Sequence, residues 1–354
     1  MFWSRWTKKR RAKAVEREKS RTATAVATPP NPAPPNPAPH PPAATGGWFS
    51  KAEIAALKDV QDDRQLAQII SRQVPGADRE EVLFRHSLSR AIYLGEYDLP
   101  ILPQAAAQVM ELSTNPRAEV GDYVTVIESD HSLVRAIVDT ANSSFFASLS
   151  GSATLEQAIV RIGLRQVDQI TMIHALRSKV FRVAGFEEMT QRVVKHSLAS
   201  AVAARVVAEA LGEPHSQAFL GGLFHDVGKL VILGLVGQVQ RKLDWAAPHE
   251  LVESAFDAYH VFTGSSLCTH WNFPEALSRG IANHHDPDQA AAQRLDQAIY
   301  LGNLLAHSLA AGDGSSVCAP EDPVLVAAAW TPARLEEIRA DVLKHLEAYK
   351  ALGF

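Results

Sequence analysis

Cysteine is scarce in this 354-residue chain: Cys268 and Cys318 are the two present, in no metal-binding or redox spacing. A disulfide framework is thereby excluded, and a reducing cytoplasm is the simplest setting. Aromatic residues make up 7% and methionine contributes four positions. No stretch reads as a run of the ~18 apolar residues that a membrane span requires. Positive charges open the chain, but no apolar h-region follows them, so the start does not read as a secretory signal. From Leu99 onward no convincing alternation of apolar and polar residues occurs, which argues against strands.

What is present is unevenly distributed. Residues 1–21 carry nine Lys/Arg against Glu16 and Glu18, whereas the other 333 residues carry 26 Lys/Arg against 37 Asp/Glu. A basic tail is joined to an acidic body. Between them lies a Pro/Ala/Thr-rich segment with nine prolines from Pro29 to Pro42. Such composition favours polyproline II and cannot bury a core, so residues 1–47 read as tail and disordered linker. A helical extension is expected over 48–98. It opens with the capping-box pattern Ser50-x-x-Glu53, runs toward Pro75-Gly76, and continues with a helix from Asp78 to Tyr93.

The remainder is apolar at three- and four-residue intervals: Leu102–Leu112, Val120–Ile127, Leu133–Ala141, Leu155–Ile162, Val193–Leu211, Ala218–Leu235 and Leu335–Leu352. The body is therefore all-α. In "TANSSFF", Asn142 or Ser143 is expected to end a helix, and Gly163 to turn between two.

The chemistry concentrates in histidines. His196, the adjacent pair His225-Asp226, His260, and the pair His284-His285 all fall in the second half of the body, on stretches read as helical. Facing helices can bring imidazoles and a carboxylate to one centre, a donor set suited to Fe, Mn or Zn. Two ions ~3.5–4 Å apart would clamp a phosphoryl group and activate water. A bland reading stands beside this one. Single histidines in apolar helices are usually hydrogen-bonded core residues, and His284-His285 would also serve as a helix C-terminal cap.

The stretch "GGLFHDVGKL" around His225-Asp226, with Lys229 three residues on, resembles the HD superfamily of metal-dependent phosphohydrolases, and His196 matches its first histidine. Within that superfamily the chain is most similar to the HDOD branch, the HD-related output domain. "LPILPQAAAQVMEL", "VIESDHSLVRAIVDTANSSFF", "LEQAIVRIGLRQV" and "WNFPEALSRGIANHH" carry the likeness, in order, over roughly residues 99–290. The resemblance implies an HD-superfamily-like helical bundle with an additional N-terminal helical sub-bundle (about 99–185 and 186–310), a groove between them, an HDOD domain over 99–291, and a C-terminal helical segment over 292–354. The metal ligands it implies are His196, His225, Asp226, His260, His284 and His285, with Lys229 as the catalytic cation if the site is hydrolytic.

Two departures bear on activity. Where hydrolytic relatives place a late aspartate, this chain has Asn303. Asp296 lies two turns earlier, ~10.5 Å along a helix, and cannot simply replace it. The Gly-Tyr-Pro signature of cyclic-dinucleotide phosphodiesterases is also missing after His285. The implied function is a bacterial signalling module, non-catalytic, acting through signalling proteins or a nucleotide ligand; the alternative is a metal-dependent phosphohydrolase.

The tail "MFWSRWTKKRRAK" sets Phe2, Trp3 and Trp6 among basic residues. It fits peripheral contact with anionic lipid at the inner face of the membrane. It also fits a solvated tail. Nucleic acid is disfavoured, because no recognisable nucleic-acid-binding module accompanies the charge.

Overall fold

A computed structural model describes residues 48–57, 78–143, 146, 154–181, 183–311, 318–347 and 349. The basic tail, the Pro-rich segment and the continuation of the first helix past Leu57 lie outside the described residues.

Among the described residues every long element is a helix. The extension begins with the expected capping box: the Ser50 N–H donates to Glu53 Oε2 (2.7 Å), and the Glu53 N–H to Ser50 Oγ (3.3 Å). Helix α1 (Lys51–Leu57) follows, then α2 (Arg79–Leu94), whose N-cap Asp78 accepts from the Glu81 N–H and which Gly95 ends in the left-handed conformation. Trp48 fixes this extension to the body, with its indole N–H donating to Ser254 Oγ at 2.9 Å.

Five helices form a small bundle: α3 (Gln104–Thr114), α4 (Val120–Ile127), α5 (His131–Ala141), α6 (Leu155–Ile162) and α7 (Leu164–Leu176). Asn142 ends α5 and Gly163 separates α6 from α7, both as the sequence suggests. The bundle has its own core, including Val109, Tyr123, Ile127, Leu133, Ile137, Ile159 and Ile170. Helix α7 is shared: Val167 and Ile170 belong to that core, while Met172, Ile173 and Leu176 belong to the larger one. The handover thus falls inside a helix rather than near residue 185.

The larger core is organised on α8 (Glu187–Leu211), which at 25 residues is the longest helix among the described residues. It packs against α9 (His215–Phe224) and α14 (Arg294–Ala311), while α10 (Val227–Leu243) packs on α11 (His249–His270) and α11 on α12 (Glu275–Ala282). A short α13 (Pro287–Ala290) precedes α14, and α15 (Pro323–Ala328) and α16 (Pro332–Leu346) close the chain. Helix α16 covers α8 with buried Leu335, Ile338 and Val342, so the C-terminal segment completes the core.

Two sequence expectations need correction. Ala218–Leu235 is not one helix: α9 stops at Phe224, and the chain turns at Asp226 (φ −100°, ψ 7°) before α10. Moreover, the span His215–Leu243 is by length and composition apolar enough to cross a membrane, with mean hydropathy 1.6 in its most apolar window. That window is 83% buried inside the protein, which accounts for its apolarity as core packing.

The glycines of "GGLFHDVGKL" serve close helix approach. A Cβ on Gly222 would lie 2.5 Å from the Ser200 carbonyl oxygen and 2.7 Å from Ala201 Cα. One on Gly228 would strike the His260 carbonyl oxygen and lie 2.6 Å from Gly264 N. Backbone cannot yield as a flexible side chain can. Gly222→Ala and Gly228→Ala should each lower unfolding stability in urea by about 3 kcal/mol or more. Gly121→Ala, where a Cβ meets nothing within 4 Å in α4, should be neutral or stabilising by up to about 1 kcal/mol.

Candidate metal centre

The turn between α9 and α10 places His225 and Asp226 at the middle of the large bundle, where both are buried. His196 comes from α8 and His260 from α11. His284 and His285 follow the C-terminal end of α12 rather than lying on a helix. All six predicted ligand residues meet around one carboxylate.

Asp226 divides them. Its Oδ2 lies 3.4 Å from His225 Nε2 and 3.8 Å from His196 Nε2. Its Oδ1 lies 3.5 Å from His260 Nε2 and 3.8 Å from His284 Nε2. Two donor groups result, one of His196, His225 and Asp226, the other of Asp226, His260, His284 and the exposed His285. Within each group the donor atoms lie within 4.8 Å of one another.

The protonation pattern suits a cation. Nδ1 of His225, His260 and His284 meets the carbonyl oxygens of Gly222 (2.8 Å), Phe256 (2.6 Å) and Ile281 (2.6 Å). A carbonyl only accepts, so each Nδ1 carries the ring proton and each Nε2 presents a lone pair. His284 thus both caps the end of α12 and aims its second nitrogen inward. The 3.3 Å approach of His260 Nε2 to His284 Nε2 sets two lone pairs against each other. Asp226 Oδ1 is buried without a hydrogen-bond partner. Facing lone pairs and an orphaned carboxylate oxygen are both relieved by a positive ion, so the residues fit a divalent metal.

Electrostatics point the same way. Burial pushes His196 down to about 3, helped by the neighbouring His225. Burial likewise takes His260 down to about 4 and His284 well below its ordinary value. Burial alone would raise Asp226, but the polar and cationic groups packed around it, the Lys229 ammonium among them, outweigh it and hold the carboxyl well below the usual range. Lys229 Nζ donates to Asp226 Oδ2 at 2.7 Å.

Asn303 of α14 also reaches the centre, with Oδ1 2.9 Å from His196 Nε2. Asp296 does not: it is buried beneath Arg279 (3.1 Å) and accepts from Asn283 (3.0 Å). His307 escaped the sequence reading. Its ring lies 4.3 Å from that of His196, and burial lowers its pKa. The signal was available, since it stands one helical turn beyond Asn303.

His196, His260 and His284 fold neutral but take up protons when the chain unfolds. Between the unfolded histidine value near 6.5 and folded values of about 3 and 4, the unfolded state binds more protons, so stability falls as pH drops. Metal-free protein should show a melting temperature that declines from about pH 6.5 downward. Added Mn2+ or Zn2+ should raise the melting temperature across this range, while the onset of the decline, which the unfolded value sets, stays at about pH 6.5. A flat profile from neutral pH to about pH 5 would contradict neutral burial of the cluster.

The fold has known counterparts. A Shewanella amazonensis SB2B structure, of a protein proposed to be a metal-dependent phosphohydrolase, aligns with TM-score 0.53 and 19% identity over 74% of this chain and all of that one. An HDOD domain protein of unknown function from Geobacter sulfurreducens aligns with TM-score 0.50 and 18% identity over 72% of this chain and 96% of that one. At these identities the likeness shows the fold alone. A Treponema pallidum (strain Nichols) protein without assigned function is 24% identical over 235 residues, which is 64% of this chain but only 44% of that relative's length. The HDOD domain itself matches residues 99–287, more than half of the sequence, and the chain belongs to the HDOD family.

Proposed function

We propose that this protein is a metal-binding regulatory module that works through contacts with signalling proteins or a nucleotide ligand rather than by turnover. The observation that carries this reading is the single carboxylate of the centre. With neutral imidazoles and the neutral Asn303, the ligand set contributes one negative charge. One divalent ion leaves a buried excess of one positive charge, and a second would raise it to three, with the Lys229 ammonium alongside. Such an excess is costly in a buried site. The centre therefore favours one ion of Fe, Mn or Zn, and a second only when a phosphate-bearing ligand brings compensating charge.

A phosphohydrolase reading draws support from a different observation, the division of Asp226 between two donor groups. Bound metal would supply Lewis acidity and an activated water. His196, His225, Asp226, His260, His284 and His285 would hold it. Lys229 would then release part of its contact with Asp226 and steady negative charge developing on a phosphoryl oxygen.

Elemental analysis separates these readings from a site that holds nothing. Wild-type protein reconstituted with Fe, Mn or Zn is expected to retain about one equivalent, and His225→Ala to retain little, because second-ion affinity is limited by charge. A phosphoester screen is expected to show no steady turnover, whereas Asn303→Asp should raise metal content toward two. Wild-type turnover abolished by His225→Ala would overturn the non-catalytic reading. Protein that stays metal-free would overturn both.

Residues 1–21 supply the proposed location, cytoplasmic with peripheral contact at the inner membrane face. The full chain should float with phosphatidylserine-rich vesicles and lose that at high salt, whereas a chain lacking residues 1–21 should not float. Equal behaviour of the two chains would leave the tail a spacer.

A further inference from the structure

Away from the metal centre, a cavity of about 370 Å³ lies where the small bundle meets the large one. This volume is in the range that takes small organic ligands. Met110 of α3 and Met172 of α7 line one side, and Phe219 of α9, Phe273 and Leu277 of α12 the other. Exposed Arg165, Ser216 and Gln217 stand at its mouth.

One carboxylate faces this apolar lining. Asp168 of α7 accepts a hydrogen bond from the Tyr123 hydroxyl at 3.0 Å, and among the described residues it has no cationic partner. Arg165, one turn earlier on the same helix, is turned instead toward His215, with Nη1 3.2 Å from the ring Nε2. Burial raises the Asp168 carboxyl to about 6, eased only by the Tyr123 bond. A half-buried carboxylate without a counter-charge is costly to keep. In a preformed cavity such a group is a candidate ligand-binding residue.

We propose that this cavity binds a small organic cation, an apolar body bearing an amine or amidine that pairs with Asp168. The lining favours this sign of charge. Phe273 offers aromatic surface that attracts cations, and Met110 adapts to a flat apolar body. The one lining residue that is always cationic, Arg165, is at the mouth and directed to His215, and the Ser113 and Thr114 hydroxyls already donate to helix carbonyls, so no permanently cationic group inside is placed to pair with an anion.

Benzamidine, an aromatic amidinium, tests this with the full chain, with benzoate as the anion of similar shape. Titration by calorimetry or ligand-observed NMR up to about 10 mM should show benzamidine binding and benzoate not. Asp168→Asn should weaken benzamidine roughly tenfold to hundredfold, because the charge-assisted bond is lost. That variant keeps an oxygen for Tyr123 and removes a costly charge, so it should fold with unchanged or higher melting temperature. Met110→Trp, which fills the cavity and spares Asp168, should also abolish binding. No benzamidine binding, equal binding of benzamidine and benzoate, or full binding by Asp168→Asn would each overturn the proposal.

Discussion

The large bundle is built around one buried carboxylate. Asp226 is 2% exposed, and its two oxygens face histidines delivered by three further segments of chain. Burying a charge on that scale requires compensation, and every nearby feature supplies some of it. Lys229 follows one turn later on the same side. The helix breaks at Asp226, which lets its side chain reach the centre. Gly222 and Gly228 flank the turn and allow α8 and α11 to approach closely enough for their histidines to reach it. The motif is therefore a packing device as well as the centre of the candidate metal site.

Each imidazole is also held from behind. Carbonyls at the i−3 or i−4 position take the Nδ1 protons of His225, His260 and His284, so local helix geometry fixes which nitrogen faces inward. For His225 and His284 this orientation costs little, because the Gly222 and Ile281 carbonyls lie near helix ends where acceptors have spare capacity; the Phe256 carbonyl, inside α11, accepts with its second lone pair. The result is a pocket rich in lone pairs and poor in protons, as a cation requires. Asn303 breaks the pattern, since a neutral carboxamide adds no charge where His196 faces α14.

Much of this was legible in the sequence, because helical periodicity and capping are local. Val120–Ile127 and Leu155–Ile162 end where their apolar periods end, and Asp78, Ser50 and Gly163 mark boundaries by their own chemistry. That the six residues which meet at Asp226 belong together was readable through motif order. What was not readable depended on distance or on tertiary constraint. The break at Asp226 interrupts a continuous apolar run with no proline or asparagine to announce it. The apolarity of His215–Leu243 reflects burial on all sides, which composition alone does not distinguish from a membrane span. His307 needed the knowledge that α14 lies against α8. Asp168 carries no motif at all, since its setting depends on Tyr123, 45 residues away.

The two candidate sites share their supports. Helix α9 begins at His215, beside the cavity, and ends next to His225; α12 begins beside Phe273 and Pro274, at the cavity wall, and leads to His284. Over ten and eight residues these helices span about 15 Å and 12 Å. Both are tightly packed, and a packed helix moves as a body rather than bending. A ligand that spread α7 from α9 would therefore act on the segments that position His225 and His284. By linkage, any such effect runs in both directions: an ion that fixes His225 and His284 also fixes the far ends of α9 and α12, and with them the cavity walls. Under the non-catalytic reading proposed above, the covalent path by which the two candidate sites would sense one another is a single helix on each side.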